Sequence, residues 1–442
     1  MDAFLDQVAE IRCEAPLPMM ARVRQRFDAP GLPDIATAVA SELRRLEGHI
    51  RPGMRVGITA GSRGVANIAT ILHATGEAVR QFGGEPFIIP AMGSHGGATA
   101  EGQVEVLAGY GVTTATTGMP IVSSMEVRQV GSLSDDSGSG PDVYMSETAL
   151  RADGLIICNR VKPHTDFRSG IESGLAKITG IGLGKHQGAK TIHSFGTRGL
   201  AHWLPLAAQV MVRASNVLCG LAILENAYDE TARVVAVAPD GIGGAAEATL
   251  LEEAKGLMAA LPFDDIDVLI VDEMGKNVSG TGMDTNIIGR MMIRGVAEFQ
   301  RPNARIVVVL DLTEESHGNG AGIGLADILT LRATRKLDLH ATYINGLTSG
   351  IGGVQRVKLP MFLPTDVDAI CAGILCCGRG DPVNARVVRI KNTLEIGEIQ
   401  VSESLLDEVR AHPRLEIVGE PTRLALDATG NLVEAAGLAA GH

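Results

Sequence analysis

Arg55 to Thr99 reads RVGITAGSRGVANIATILHATGEAVRQFGGEPFIIPAMGSHGGAT, and two periodicities alternate within it. RVGIT, Arg55 to Thr59, is a short β-branched run, which favours a strand. From Val65 to Phe82 the period changes. Val65, Ile68, Leu72, Thr75, Val79 and Phe82 recur at spacings of three and four, one face of a helix on which only Thr75 is not apolar. EPFIIPAM, Glu85 to Met92, is strand-like again, and Thr99 is placed to cap a helix starting at Ala100. This is a βαβ unit. Its two glycine loops, AGSRG and GSHGGAT, follow the carboxyl ends of strands, the edge of a parallel α/β sheet where ligands bind.

The pattern recurs downstream. GLIICNR (Gly154 to Arg160) runs into KPHTDF, DVLIVDE (Asp267 to Glu273) into MGKNVSGTGMDTN, and ARIVVVLDL (Ala304 to Leu312) into TEESHGNGAGIG, with a helix expected from Leu325 to Leu337. At 442 residues the chain exceeds one ordinary core. LPFDD, Leu261 to Asp265, separates an Ala/Leu-rich helix, Ala246 to Leu261, from a new strand and is the best boundary. DDSGSGPD, Asp135 to Asp142, reads as a surface loop or hairpin within the first domain. The expected fold class is α/β: two domains with mainly parallel sheets flanked by helices, and a cleft between them. Residues 1–263 carry the loops AGSRG, GSHGGAT and KPHTDF, and residues 264–442 close the cleft.

Composition narrows the function. The net charge is −12, aromatics are 3% and no basic tract exists, so a nucleic-acid partner is not expected. RATRK, Arg332 to Lys336, reads as a solvated helix face. The first residues lack a secretory pattern, and no apolar run is long enough to span a membrane. Six cysteines show no disulfide or C-x-x-C pattern, so a reducing cytoplasm is the expected setting. Cys371, Cys376 and Cys377 read as buried thiols in a helical run.

Three loops of the first domain hold chemistry. In Gly61-Ser62-Arg63-Gly64 an arginine stands beside exposed backbone N–H groups, a combination suited to a carboxylate or phosphate or equally to a capping turn. In Gly93-Ser94-His95-Gly96-Gly97 a histidine has no local packing to explain it, which points to acid–base work. The third is NRVKPHTDFRSGIESGLAKITGIGLGKHQGAKTIH, Asn159 to His193. It is not G-x-G-x-x-G. Its Gly184-Lys185 pair is followed by His186 rather than Ser or Thr, which excludes a P-loop, and HQGAKTIH lacks the H-E-x-x-H spacing. What remains is a lysine and several histidines around mobile glycine backbone, a set suited to covalent attachment, imidazole–metal ligation or proton transfer.

Together these loops resemble the lactate racemases that use a nickel-pincer nucleotide. The resemblance spans about Arg55 to Phe195. Its sharpest part is Lys177 followed sixteen residues later by His193, with Pro163-His164 before them and Arg63 and His95 in order upstream. It implies a pyridinium mononucleotide tethered to Lys177 through a thioamide and a nickel ion completed by His193. His95 and His164 would be two acid–base residues, and Arg63 would lie near the substrate. The implied cofactor-binding set is Lys177 with Ser173, Gly174, Gly180, Gly182 and Gly184, the phosphate sitting on glycine-rich backbone or at a helix start. A second-domain cation is also implied; Lys276 is the nearest candidate and Arg290 a weaker one. The sequence departs from the family in having Ala60 where an acid precedes the arginine.

The implied activity is a racemase or epimerase inverting C2 of a 2-hydroxy acid by reversible hydride transfer. Serving both enantiomers needs a base on each side of the substrate, which two histidines on separate loops provide, while an arginine fork suits the carboxylate. Partners would be a small 2-hydroxy acid and the cofactor-synthesis proteins, without which recombinant protein would lack the group. The oligomeric state is left open. Two other readings stay open: a dehydrogenase or lyase with a dissociable nucleotide, and a non-catalytic nucleotide- or metal-binding regulator.

Overall fold

The computed structural model describes residues 6–433, and the chain divides into two units. One is continuous, Asp28–Met258; the other joins the chain before Asp28 to the chain after Met258. Both are α/β, with mainly parallel sheets flanked by helices. Among the described residues no helix is long and apolar enough to cross a membrane.

The continuous unit is built on five strands in the order Glu85–Pro90, Arg55–Ala60, Gly154–Arg160, Val217–Glu225 and Thr231–Val237. The first four are parallel and the last antiparallel. Side chains alternate across it, as the two-residue period of a strand requires. Ile58, Ile88, Ile156 and Ile223 join one buried cluster; Phe87, Ile89, Leu155 and Ile157 join another on the opposite face. Burial on both faces is what makes these strands apolar throughout, and each fully buried aliphatic side chain contributes about 1.5–3 kcal/mol. The helix Ile68–Gln81 follows the first strand. It begins three residues later than Val65. Residues before it form an extended turn in which Asn67 has φ 57° and the Ala66 N–H is taken by the Glu225 carboxylate at 2.7 Å. Thr99 caps the helix Ala100–Gly109 by accepting from the Gly102 N–H at 3.0 Å, as expected. Asp135–Asp142 connects the antiparallel strands Val127–Ser132 and Asp142–Ser146, a hairpin.

The second unit has eight strands. Met361–Leu363, Ile328–Thr330, Asn303–Val309, Asp265–Val271 and Val387–Ile390 are parallel neighbours; Glu398–Ser402, Met20–Gln25 and Leu415–Thr422 extend the sheet antiparallel. Met20–Gln25 thus pairs on both edges with strands from the far end of the chain. A single cut at residue 263 would assign it to the other unit. The expected helix Leu325 to Leu337 is also revised. Its apolar run supplies the strand Ile328–Thr330, and only Leu331–Arg335 is helical, capped by the Thr330 hydroxyl at 3.1 Å from the Ala333 N–H.

RATRK is not a solvated face. Arg332 reaches Asp366 at 3.0 Å and Asp311 at 3.2 Å, Lys336 reaches Asp311 at 3.0 Å, and Arg335 reaches Asp6 at 2.9 Å. Ala333 and Thr334 are buried between these cations. Cys371 and Cys377 are buried, whereas Cys376, at the end of the helix Asp366–Cys376, is exposed.

Candidate active site

Three neighbouring parallel strands deliver three loops to one edge of the five-stranded sheet. Arg55–Ala60 leads to Ser62 and Arg63, Glu85–Pro90 to His95, and Gly154–Arg160 to His164. The last loop is folded back by paired backbone hydrogen bonds between Lys162 and Ser173 (2.9 and 3.2 Å). It therefore re-enters the site as the helix bearing Lys177.

That helix begins against a buried carboxylate. Glu247 accepts from the Ala176 N–H at 3.0 Å and the Gly243 N–H at 2.8 Å. Burial raises its pKa, and the backbone donors at Gly243, Ala176 and Leu175 oppose that rise. A Cβ at Gly174 would come within 2.3 Å of the carboxylate, so the glycine is required for this approach. A helix start offers unpaired N–H groups and a partial positive charge; here Glu247 supplies the anion.

The glycine-rich run is not a loop. Ile178–Leu183 is a π-helical stretch continuing Leu175–Lys177; Gly180 and Gly182 are buried within it and Gly184 directly after it. Cβ atoms there would meet Leu204, the Ala91 carbonyl and the Gly180 carbonyl at 2.6–2.7 Å. These glycines let the helix pack closely. They form no open cradle for a phosphate, and the expected seat at Gly174 is filled by Glu247. Ser173 keeps a side chain without a hydrogen-bond partner among the described residues.

Sixteen residues of straight helix would place His193 about 24 Å from Lys177. Yet the charge of Lys177 acts on His193, lowering its pKa after desolvation. The chain turns at Lys185, whose φ of 53° breaks the helix. The helix Lys185–His193 runs from that corner. Lys185 itself is fully buried. Its ammonium has no carboxylate partner among the described residues and donates to the Pro90 carbonyl at 2.6 Å and to Gln103 Oε1 at 2.8 Å. Desolvation lowers its pKa to about 8. Gln103 in turn donates to the carbonyls of Gly93 (2.9 Å) and His95 (3.3 Å), tying the corner to the His95 loop.

His164 and Lys177 touch: Nε2 lies 2.6 Å from Nζ. The other ring nitrogen, Nδ1, accepts from the Asp166 N–H at 3.0 Å. The His164 backbone N–H donates to buried Glu172 at 2.7 Å, and Arg168 donates to the His164 carbonyl. Phe167 lies against the imidazole with centroids 4.6 Å apart. Burial holds the ring well below its ordinary pKa, with Lys177, Arg168 and Lys162 adding to the fall and Asp166 opposing it. Lys177 falls to about 8 through desolvation first, then the charge of Arg63 and Lys162 against Asp166. His95 hydrogen-bonds Ser62 through Nδ1 and falls to about 4 through desolvation and the charges of Arg63 and Lys177. Its side chain still reaches solvent.

Arg63, His95, His164, Lys177 and His193 therefore share one electrostatic neighbourhood. Arg63 and His193 are exposed, and neither side chain has a hydrogen bond or ion pair among the described residues. Lys276 belongs to the other unit, where Nζ donates to the Gly280 carbonyl and to Asn345 at 2.8 Å. Arg290 is committed to Asp327 at 2.6 Å and to backbone carbonyls. Sequence reasoning assigned no role to Glu247, Lys185, Gln103 or Ser62. Ser62 and Lys185 lie in motifs it examined, whereas Glu247 has no local signal.

Among the described residues no group of three or more His, Cys, Asp or Glu side chains is placed to hold a metal ion. A metal completed by cofactor sulfur and carbon would need one imidazole only, and His193 fits that requirement. Lys177 fits a tether. The buried helical glycines do not fit a phosphate seat.

No family model and no curated protein matches the chain. Among solved structures, the chain is similar to a crystallised Thermotoga maritima protein (12% identity, TM-score 0.44, covering 62% of this chain and 70% of that one). It is also similar to the lactate racemase apoprotein of Thermoanaerobacterium thermosaccharolyticum (14% identity, TM-score 0.40, covering 65% and 69%). Likenesses this distant bear no weight on function.

Proposed function

We propose that the protein is an isomerase that inverts C2 of a 2-hydroxy acid using a nickel-pincer nucleotide tethered at Lys177. One observation carries the reading: two imidazoles held neutral, His95 and His164, reach the surroundings of one lysine from separate strand-end loops. A neutral imidazole can take a hydroxyl proton at neutral pH, and its conjugate acid can return one. Two such groups serve two enantiomers. Ser62 fixes the His95 ring through Nδ1, leaving Nε2 to face the substrate. Arg63 offers a bidentate donor to the carboxylate. His193, without a hydrogen-bond partner among the described residues, has a lone pair for nickel. The cofactor, when bound, supplies the hydride acceptor.

The test is to make the protein alongside the cofactor-synthesis enzymes and measure intact mass and metal. The expected result is a covalent adduct absent from Lys177→Ala and nickel absent from His193→Ala. A wild type made this way with neither adduct nor nickel overturns the reading. Reversible binding of a dinucleotide with no covalent mass would support the dehydrogenase or lyase instead.

A further inference from the structure

A neutral imidazole carries one proton on two nitrogens. His164 Nδ1 accepts the Asp166 N–H at 3.0 Å, so the ring proton belongs on Nε2. Nε2 in turn stands 2.6 Å from Lys177 Nζ. An ammonium has three donors and no acceptor and would face an N–H. An amine has a lone pair and accepts it.

We infer that His164, fixed as its Nε2–H tautomer by the Asp166 backbone, favours the neutral amine of Lys177 over its ammonium before any cofactor is attached, making it the protein's acylation site for an activated carboxyl or thiocarboxyl carbon. The inference rests on the proposed tethering for its biological meaning, but its geometry stands alone. The surroundings favour the same state. Arg63 comes from the loop after Arg55–Ala60, and Lys162 lies in the same loop as His164; both disfavour a further positive charge, and Asp166 opposes them. His95 and His193, the remaining titratable groups facing the lysine, feel its charge and are themselves held neutral.

The step balances. Nζ turns from Nε2, giving up one hydrogen bond, and forms a bond to the acyl carbon. The leaving group departs with its electron pair, and one amine proton passes to solvent. The product nitrogen is an amide or thioamide whose lone pair is delocalised, so it is now a donor and no longer an acceptor. Nε2–H then faces N–H, and the pair separates. Attachment at Lys177 thereby releases Nε2 from the lysine. His164 is a positioning residue for this event; to act afterwards as a base through Nε2 its proton must move to Nδ1, which turns from the Asp166 N–H toward the Asp166 carboxylate 4.0 Å away.

The experiment uses the full chain made without cofactor-synthesis proteins. Histidine is labelled with 15N, and the His164 signals are assigned by their loss in His164→Asn. At pH 9 the expected spectrum has Nε2 protonated and Nδ1 bare. A proton on Nδ1 overturns the inference. In parallel, brief acetylation by acetic anhydride across pH is read by peptide mass spectrometry, with exposed Lys358 as reference. The midpoint for Lys177, whose pKa falls to about 8, should lie well below that of Lys358. It should rise toward Lys358 in His164→Ala. Coincident midpoints in the wild type overturn the inference. Neither arm requires nickel or nucleotide, so failure of the proposed function leaves both outcomes readable.

Discussion

Lys185 Nζ and Gln103 Oε1 lie 2.8 Å apart in a fully buried contact that joins the helix corner before His193 to the loop carrying His95. Both side chains have 0% exposure. Lys185→Met removes the donor from two buried acceptors, Gln103 and the Pro90 carbonyl, each of which costs about 1–3 kcal/mol when left unpaired. Relief of the buried charge offsets part of this. We expect a net loss of about 2 kcal/mol in urea denaturation, together with broadened or shifted ring signals of His95. A variant as stable as the wild type, with His95 unmoved, would contradict this role.

Stability should rise with pH over a narrow window. Lys177 and Lys185 have folded pKa values of about 8 against an ordinary 10.5. Above pH 8 the unfolded chain therefore binds more protons than the folded one, and stability climbs with pH. From about pH 9 upward Cys158 and Cys219 act in the opposite sense. Burial pushes both thiols to about 12, so the unfolded chain loses protons there first. The urea midpoint should increase from pH 8 to 9 and level off above it. Lys185→Met should flatten the increase; an unchanged slope in that variant would count against the buried ammonium.

On the acid side three histidines lower stability, opposed below about pH 6 by Asp272, whose carboxyl burial raises to about 6. His95, His164 and His193 all have folded pKa values below the ordinary one. The unfolded state takes up their protons first, so stability falls as pH drops below about 6.5. His164→Gln removes one titrating group and should reduce this dependence, measured as the change in urea midpoint between pH 7 and 5.

Glu247 bears on the tether without touching it. Glu247→Ala leaves the Ala176 and Gly243 N–H groups without their acceptor in the interior, a loss of about 3 kcal/mol. Gly174→Ala drives a Cβ into the same carboxylate and should cost about 1–3 kcal/mol. Both are checked by thermal or urea unfolding. An exposed, dispensable Glu247 would leave both variants near the wild type.

Arg63→Ala should separate folding from function. The side chain has no partner among the described residues to lose, so stability should change by no more than about 0.5 kcal/mol. In loaded enzyme kcat/KM should fall about 10- to 100-fold, the worth of charged hydrogen bonds of about 1.5–3 kcal/mol. Removing its charge should also raise the acetylation midpoint of Lys177. If the midpoint stays where it was, Arg63 does not face the lysine.

The sheet edge and its three loops were legible because apolar strands ending in glycine turns announce themselves locally. Gly154–Arg160 matches its expected bounds, and Thr99 caps as its spacing suggested. The rest depended on distant chain. Ile328–Thr330 sits in an apolar stretch that suits helix or strand equally, and only its parallel neighbours decide. Gly180, Gly182 and Gly184 look like a loop by composition, yet close contacts with Leu204 and the Ala91 carbonyl explain them as helix-packing residues. Glu247 lies about seventy residues after the N–H it receives, beyond the reach of any local pattern. Lys185 adopts a left-handed backbone that composition does not reveal.

The pairing of Met20–Gln25 with Glu398–Ser402 has a consequence for how the chain matures. Arg22 and Glu398, joined by an ion pair, lie 376 positions apart. During synthesis Met20–Gln25 is made before Asp28–Met258 and must wait for Glu398–Ser402 and Leu415–Thr422, its two sheet neighbours. Asp28–Met258, by contrast, is continuous and has all its sheet partners once Met258 has left the ribosome. The lysine-bearing half can thus be finished while the other is still being made. Its companion stays an unpaired edge until the last strands arrive, which makes that early segment the place where chaperones and premature termination would act most strongly.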